Sequence, residues 1–554
     1  MPLLPALLAR LSAFDLAAGG LGLVGALSTV PAPVATSGAA RQPPAPTLVV
    51  VVVVDQLRAD YLDRFGPQLS GGLARLARGG AVLTRAVHDH AITETAPGHA
   101  TVLSGRYPRS HGIIGNLLGV DDPGSPLVGV DSGMGDPASP RRFRGTTLAD
   151  WLVARDGRAQ VLAVSRKDRG AILPLGRART GDRTTAQAYW YATNGRFTTS
   201  RWYAERLPAW VEAFDRRQLG QRMAGRAWTP LFPTDSYPEP ANVPAPGGAS
   251  APFPHVLPQD SLLAADVVRA TPFMDELTLA FALEGLRALR LGASGRTDLL
   301  VVSLSSTDAV GHQYGPDSRE LHDQVLRVDR ALGGFLDSLF ALRDSSRIVV
   351  ALTSDHGITR FPEIAANDPR RPAQLVPRRV DPDSALAAVR AGLAARGVSP
   401  WAMLLDNGAL YLDRRALAAA RIREDSLLSA AESTLRAVPG VRRVDRLERL
   451  AKADTVRDAI ARRWLHSVPA DYPISVVVTL DSGSVWSTRI AAEHGSPYDD
   501  DAHVPLVLWG APFKAGRYDQ PTGVVDLAPT LARVLGLRPA ERVDGRVLEF
   551  VLRK

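Results

Sequence analysis

Three aspartates in this sequence come at, or a few residues after, the end of an apolar run. Asp55 follows the β-branched run 47–54 directly. Asp308 comes a few residues after the apolar run 298–303, and Asp355 comes just after the run 348–353. None of the three has a lysine or arginine next to it in the sequence. Carboxylates that pack together without a compensating charge repel one another, and their pKa values rise. A shared divalent metal ion would supply that charge, so the pattern predicts a metal site.

Histidines supply further candidate ligands. Asp308 and His312 are four residues apart and share a face if the segment is helical. Asp355 and His356 are adjacent before a glycine, and His494 also precedes a glycine. Carboxylate plus imidazole suits Zn²⁺ in a catalytic site, with Mn²⁺ or Mg²⁺ as alternatives. The chain has no cysteine, which excludes thiolate ligands and a cysteine nucleophile.

The remaining histidines are weaker candidates. His503 competes with His494 for the last ligand position, because it lies just before the apolar run 504–509. His99 follows Thr95 by four residues and is placed to support a ligand from behind. We interpret the others as structural or solvated: His88, His90, His111, His255, His322 and His466.

The stretch 90–116, HAITETAPGHATVLSGRYPRSHGIIGN, contains the candidate nucleophile. Thr95 lies at the first turn of a helix predicted over 97–104. Pro97 is tolerated there, because its missing N–H would have no partner in a first turn. The positive end of the helix dipole would favour negative charge on the hydroxyl oxygen. A hydroxyl activated beside metal ions is a nucleophile suited to phosphoryl transfer on two metals.

The elements that position these residues alternate between apolar strands and helices. Strands are predicted at 47–54, 81–87, 160–165, 298–303, 348–353 and 504–509, and helices at 62–78, 97–104, 146–155, 275–290, about 318–342 and 526–536. This alternation predicts an α/β fold with a mostly parallel central sheet and helices on both faces. Ligands of such sheets bind beyond the carboxyl ends of the strands.

The catalytic core is predicted to comprise 47–170, 271–360 and 491–554. Residues 171–270 are rich in aromatics and proline, and we expect an insertion with loop character over the site. A disordered loop is the alternative, but the aromatics between Tyr189 and Tyr203 favour packing. Residues 361–490 are predicted as a second insertion, a cap with helices near 383–396 and 425–437 and short strands between them.

Residues 1–40 are apolar and Gly-rich, end in Gly38-Ala39-Ala40, and resemble a secretory signal peptide. We therefore expect a periplasmic or secreted protein, with a disordered leader as the alternative. The run is too short and Gly-rich for a stable membrane span.

The net charge is +8, but arginines are scattered and form no basic stripe. No nucleic-acid partner is expected, and the charge favours small anionic substrates. We expect a monomer.

Six motifs together resemble the alkaline phosphatase superfamily, in the branch with type I phosphodiesterase/nucleotide pyrophosphatase features. Within it the sequence is most similar to the phosphate-irrepressible, threonine-dependent bacterial alkaline phosphatases. The motifs are VVVVDQLRADYLDRF, ITETAPGHATVLSGRYPRSHGIIGN, SRKDRGAILPLGR, SSTDAVGHQYGP, TSDHG and EHGSPYDDDAHVPLVLWG. They are spread over nearly the whole chain after the leader.

The resemblance implies two zinc ions and a role for each site residue. One zinc would be held by Asp55, Asp355, His356 and the oxygen of Thr95, which would form a phosphothreonine. The other would be held by Asp308, His312 and His494. Asn116, Lys167 and Arg169 would bind the non-bridging oxygens of the phosphate.

The Lys167-x-Arg169 pair bears on the substrate, because the phosphodiesterase relatives replace it. A monoester carries two negative charges and a diester one, so two extra cations favour the monoester. A solvated basic turn is the alternative for the pair. We therefore predict a zinc-dependent alkaline phosphatase; the alternatives are a phosphodiesterase/nucleotide pyrophosphatase and a catalytically inactive zinc-binding protein. A sulfatase is not supported, since no cysteine is present and 104–106 does not match the required motif.

Overall fold

The computed structural model describes residues 45–180, 183–184, 186–243, 252–367, 376–487 and 491–553. The predicted leader at 1–40 lies outside the described residues. Within the described ranges, no helix combines the length and apolar character needed to cross a bilayer.

The strand Leu48–Val54 lies in the middle of a ten-stranded sheet and is fully buried. It pairs in parallel with Asp298–Leu304 on one side and with Ile348–Thr353 on the other. The order across the sheet is Gly516–Tyr518, Ala81–Leu83, Leu506–Trp509, Ile348–Thr353, Leu48–Val54, Asp298–Leu304, Val161–Ser165, Ala186–Tyr191, Phe197–Ser200 and Leu127–Val128. Leu48–Val54 and four other strands, from Ile348–Thr353 to Ala186–Tyr191 in this order, are parallel, and the next strand on each side is antiparallel to them. The predicted fold class is confirmed.

Both faces of the sheet are covered, which explains the uninterrupted valine run. Val50 and Val52 pack into one hydrophobic core, and Val49 and Val51 pack into a second core on the opposite face. The first core is covered by helices Gly72–Gly79, Pro272–Ala288 and Arg319–Leu342, and the second by Thr95–Ser104, Leu148–Arg155 and Leu527–Leu535.

One predicted helix is divided in the structure. Instead of a single helix over 62–78, the chain forms Tyr61–Arg64 and then Gly72–Gly79. Between them the chain passes close to helix Arg319–Leu342: a Cβ on Gly71 would lie 2.2 Å from the backbone oxygen of Asp329. The Asp329 carboxylate accepts the backbone N–H of Gly71, so this tertiary contact interrupts the helical pattern.

The segment 171–270 contains more regular structure than its composition predicts. Ala186–Tyr191 and Phe197–Ser200 are strands that extend the central sheet, not loops. Their aromatics are buried, and the ring of Phe197 stacks on Phe281 at 3.9 Å between centroids. Helices Ala209–Asp215 and Ser261–Val267 follow. The aromatic sequence has no clear periodicity, and its strands are stabilised by packing against helix Pro272–Ala288, which contains Phe281.

Part of the second insertion forms its own small sheet, which we call the cap sheet. It comprises Met403–Asp406, Ala409–Leu412, Ile474–Leu480 and Val441–Arg446. Helices Pro382–Ala394 and Glu424–Arg436 pack on it, within two residues of the predicted bounds. A further apolar cluster joins cap residues to Ala91, Ile92 and Ile114, so the cap is packed against the stretch that carries Thr95.

Candidate active site

Thr95 is the first residue of helix Thr95–Ser104 and is almost completely buried. Glu94 before it is extended, so the chain enters the helix at the threonine. The helix approaches the Asp355 loop very closely at Gly98, where a Cβ would lie 2.2 Å from the backbone oxygen of Asp355. The glycine therefore allows the first turn of this helix to lie beside the predicted ligands.

The structure brings Asp308, His312 and His494 together. Asp308 Oδ1 lies 3.2 Å from His312 Nε2 and 3.7 Å from His494 Nε2. The Nδ1 atoms of the two rings lie 2.8 Å from the backbone oxygens of Ala492 and Thr93. Those carbonyls accept the Nδ1 protons, which leaves each Nε2 facing the carboxylate, as a metal site requires.

Asp55, Asp308 and His356 form a second group, with ligand atoms within 4.8 Å of one another. Thr95 Oγ1 lies 3.4 Å from His356 Nε2. Burial, together with the Asp355 carboxylate, raises the pKa of Asp55 to about 7, and neither Asp55 oxygen accepts a hydrogen bond from a described residue. Lys167 Nζ, 2.7 Å from Asp55 Oδ2, supplies one positive charge to these crowded carboxylates. A divalent ion would supply more, and carboxylate oxygens with an imidazole are a donor set that fits one.

Asp355 lies just behind this second group. Its Oδ1 accepts the backbone N–H groups of Gln56 and His356, both at 3.1 Å. Its Oδ2 lies 3.0 Å from His99 Nδ1 and 3.6 Å from His356 Nε2. His99 thus supports Asp355 from behind, which is the position considered for it from sequence.

Lys167 lies between the carboxylates. Its Nζ is 2.7 Å from Asp55 Oδ2, 2.7 Å from Asp308 Oδ2 and 3.1 Å from Thr95 Oγ1. We expected this side chain on a phosphate oxygen. The two buried carboxylates attract its positive charge instead. Asp308 acts on His494 in the same way: burial lowers the pKa of this imidazole, but the contact with Asp308 outweighs burial and raises it to about 10. The site therefore gathers cationic groups around Asp55 and Asp308.

Asn116 is oriented by two hydrogen bonds. Its Oδ1 accepts the backbone N–H of Ala96 at 3.0 Å, and its own backbone N–H donates to Glu94 Oε2 at 2.7 Å. With the carbonyl oxygen engaged, the side-chain NH₂ is left as the donor. Arg169 follows Lys167 on helix Asp168–Ile172, and its Nε is buried without a hydrogen-bond partner among the described residues. Both side chains thus retain donors for a ligand.

Sequence reasoning did not identify Gln56, which connects the two ligand groups. Its backbone N–H donates to Asp355, and its Nε2 donates to Asp308 Oδ1 at 3.0 Å. The residue has a φ of 66°, a left-handed conformation that a non-glycine residue seldom adopts. The sequence signal that could have identified Gln56 is its position directly after Asp55, at the end of a strand.

Asn407 in the cap was also missed. Its Nδ2 donates to Glu94 Oε1 at 2.7 Å. Asn407 and Gly408 have φ values of 42° and 83° and form the turn between Met403–Asp406 and Ala409–Leu412. An Asn-Gly pair between two apolar runs is a strong hairpin signal, but it does not indicate what the tip contacts.

The geometry separates the two candidates for the last ligand. The His494 ring stacks on the His356 ring at 3.7 Å between centroids. His503 lies elsewhere, with its Nε2 2.9 Å from the backbone oxygen of Thr84. The arrangement therefore favours His494.

The chain also matches known proteins. The family model for type I phosphodiesterase / nucleotide pyrophosphatase matches residues 49–159 and 178–460. The chain belongs to this family. Alkaline phosphatase PhoV of Synechococcus elongatus is 31% identical over 92% of this chain and 93% of that protein. Alkaline phosphatase PafA of Elizabethkingia meningoseptica is 30% identical over 92% of this chain and 95% of that protein.

The fold of this family member agrees with a solved structure. The crystal structure of wild-type alkaline phosphatase PafA superposes with a TM-score of 0.82 at 28% identity, covering 92% of this chain and 99% of the other. The resemblance predicted from the motifs is thereby confirmed.

Proposed function

We propose that this chain is an alkaline phosphatase that hydrolyses phosphate monoesters through a phosphothreonine at Thr95. The observation that carries the proposal is the position of the Thr95 hydroxyl, 3.4 Å from His356 and beside two groups of carboxylate and imidazole ligands. Relatives 30–31% identical over most of the chain carry the name alkaline phosphatase, which supports the same activity.

Two zinc ions are proposed as the resident metals. Asp308, His312 and His494 would hold one, and Asp55, Asp355, His356 and Thr95 the other. Oxygen and imidazole ligands without sulfur suit catalytic zinc. Bound there, such ions would lower the pKa of the Thr95 hydroxyl and would neutralise negative charge that develops on the leaving oxygen.

The residues of the chain carry out two displacements. Thr95 Oγ attacks phosphorus, the bond to the leaving oxygen breaks, and the hydroxyl proton ends on the released alcohol. Water then attacks the phosphothreonine, which frees inorganic phosphate and restores the Thr95 hydroxyl. Lys167, Arg169 and Asn116 bind the non-bridging oxygens, where negative charge is spread in the transition state. Lys167 must leave the carboxylates to do so, and its flexible stem permits this movement.

Monoester preference is proposed from the Lys167-x-Arg169 pair. The family model leaves residues 160–177 unmatched, and this is the segment that holds the pair. A phosphodiesterase is the second candidate, because the family description names that activity.

Assays on 4-nitrophenyl phosphate and its methyl diester would separate these candidates, using protein freed of metal by chelation and then given zinc. We expect a kcat/KM for the monoester well above that for the diester. A faster diester reaction would assign the chain to the phosphodiesterases instead. Bound zinc without hydrolysis of either ester would favour an inactive zinc-binding protein.

We further propose that the protein is exported, either to the periplasm or outside the cell, and acts as a monomer. The apolar leader that ends near Ala40 supports export. N-terminal sequencing of the protein recovered outside the cytoplasm should begin after residue 40, whereas recovery of the intact leader would argue against cleavage. Light scattering should give the mass of one chain.

A further inference from the structure

Arg166 is a partly buried cation that makes no hydrogen bond to any described residue. It follows strand Val161–Ser165 and precedes Lys167. Its side chain is only 15% exposed, and its Nε is buried without a partner. The nearest acidic contact is Asp308, with Oδ2 3.8 Å from Nη2, which is beyond hydrogen-bond distance. A guanidinium carries five N–H donors, and the Nε donor of Arg166 is buried and unpaired, which is costly.

The surrounding carboxylates are already engaged by other groups. Lys167 Nζ lies 2.7 Å from the same Asp308 oxygen. Asp55, the other carboxylate that acts on Arg166, is also contacted by Lys167, whose Nζ lies 2.7 Å from Asp55 Oδ2. Asp275 accepts hydrogen bonds from the Ser306 backbone and from Gln324 Nε2. Arg269 adds a second positive charge nearby and is itself paired with Asp266 at 2.5 Å. Arg166 is therefore not required to neutralise a local carboxylate.

A single phosphoryl group does not require Arg166 as a further ligand-binding residue. A phosphate monoester has three non-bridging oxygens, and the proposed function assigns them to Asn116, Lys167 and Arg169. Arg166 and Lys167 lie within 4 Å of one Asp308 oxygen, so the additional guanidinium borders the place where the reacting phosphate binds. Its forked donors match the oxygens of a phosphate or carboxylate.

We infer that Arg166 binds a second anionic group of the substrate, so that the preferred substrates carry a further phosphate near the one that is cleaved. This inference rests on the proposed monoesterase function. It makes Arg166 a specificity-determining residue, whereas Lys167 and Arg169 act on the phosphoryl group itself.

The test compares 1,3-propanediol monophosphate with 1,3-propanediol bisphosphate, which differ only in the second phosphate. In zinc-loaded wild-type protein, kcat/KM should be higher for the bisphosphate. Arg166→Met keeps an apolar stem and removes the guanidinium, and should lower the bisphosphate-to-monophosphate ratio about tenfold or more, as expected for lost charge-assisted hydrogen bonds. The matched control Arg269→Met removes a nearby positive charge that is already paired and should leave the ratio unchanged.

Binding provides a readout that is independent of turnover. Calorimetry should show that Arg166→Met weakens methylenebisphosphonate more than methylphosphonate, with the zinc content of the protein unchanged. An unaltered ratio in both experiments would overturn the inference. Equal losses on both substrates with reduced zinc content would also overturn it, since Arg166 would then act through Asp308. If wild type hydrolyses neither substrate, the proposed function fails, while the binding comparison still decides the role of Arg166.

Discussion

Asn407, at the tip of a cap hairpin, donates its side-chain amide to Glu94 at 2.7 Å, and Glu94 is the residue before Thr95. The same carboxylate accepts the backbone N–H of Asn116 at 2.7 Å. The buried side chain of Glu94 therefore joins the cap to the start of the Thr95 helix and to Asn116, which is proposed to bind the phosphate. We expect the cap to influence the site through this contact.

Replacing Asn407 with glycine should lower kcat/KM for a monoester by roughly tenfold, by analogy with the loss of one hydrogen bond to a charged group. Glycine tolerates the positive φ of this turn, so the variant removes the amide without straining the backbone. Asn407→Asp should be worse, because it places a second negative charge against Glu94. Steady-state kinetics and thermal unfolding would be measured together. Wild-type kinetics in Asn407→Gly would show that the cap contact has no influence on the site.

Lys167→Ala and Arg169→Ala should each reduce monoester hydrolysis far more than diester hydrolysis. Both side chains are proposed to bind oxygens of a dianion, and a diester carries one negative charge fewer. We expect the monoester-to-diester ratio of kcat/KM to fall by about tenfold or more per variant, as for a lost charge-assisted bond. Equal losses on the two ester classes would indicate that the pair serves the carboxylates and not the substrate.

Gly98→Ala should destabilise the protein and reduce its activity. The added Cβ would lie 2.2 Å from the backbone oxygen of Asp355, and backbone cannot move aside as a flexible side chain does. Overpacking of this kind costs about 1–3 kcal/mol of unfolding free energy. Gly334→Ala is the matched control, since the residue is in helix Arg319–Leu342 and, apart from the backbone of that helix and the adjoining residues, no heavy atom lies within 4 Å of its Cβ position. Thermal unfolding should show the control unchanged or slightly stabilised; the same result for Gly98→Ala would contradict the close approach.

The sequence was sufficient to predict the central sheet, for a physical reason. Val49–Val54 is apolar at every position because both faces of the strand are buried, and that pattern is typical of parallel sheets. Asp55 and Asp355 come after the carboxyl ends of two neighbouring parallel strands, so both must lie at the same edge of the sheet. Convergence of these predicted ligands is thus a consequence of topology.

Other features depend on tertiary contacts that no local pattern encodes. Glu94 and Asn407 are 313 positions apart; one directly precedes helix Thr95–Ser104 and the other lies in the turn of a cap hairpin. Phe197 is in a strand because its ring packs on Phe281, although the surrounding sequence is typical of a loop. The contact of Lys167 with both carboxylates arises because the buried charges are close in space, and that proximity could only be seen in the structure.

We propose that the Thr95 hydroxyl attacks phosphorus at a site that would hold two metal ions. The most direct test is a zinc titration of wild-type, Thr95→Ala and Thr95→Ser protein after chelation, with bound zinc and monoester turnover measured on the same samples. We predict about two zinc ions per chain in all three. Turnover should fall by orders of magnitude in Thr95→Ala and should be retained in part in Thr95→Ser, which keeps a hydroxyl. Undiminished turnover in Thr95→Ala would show that Thr95 is not the nucleophile, and failure of the wild-type protein to bind two ions would rule out a two-metal site.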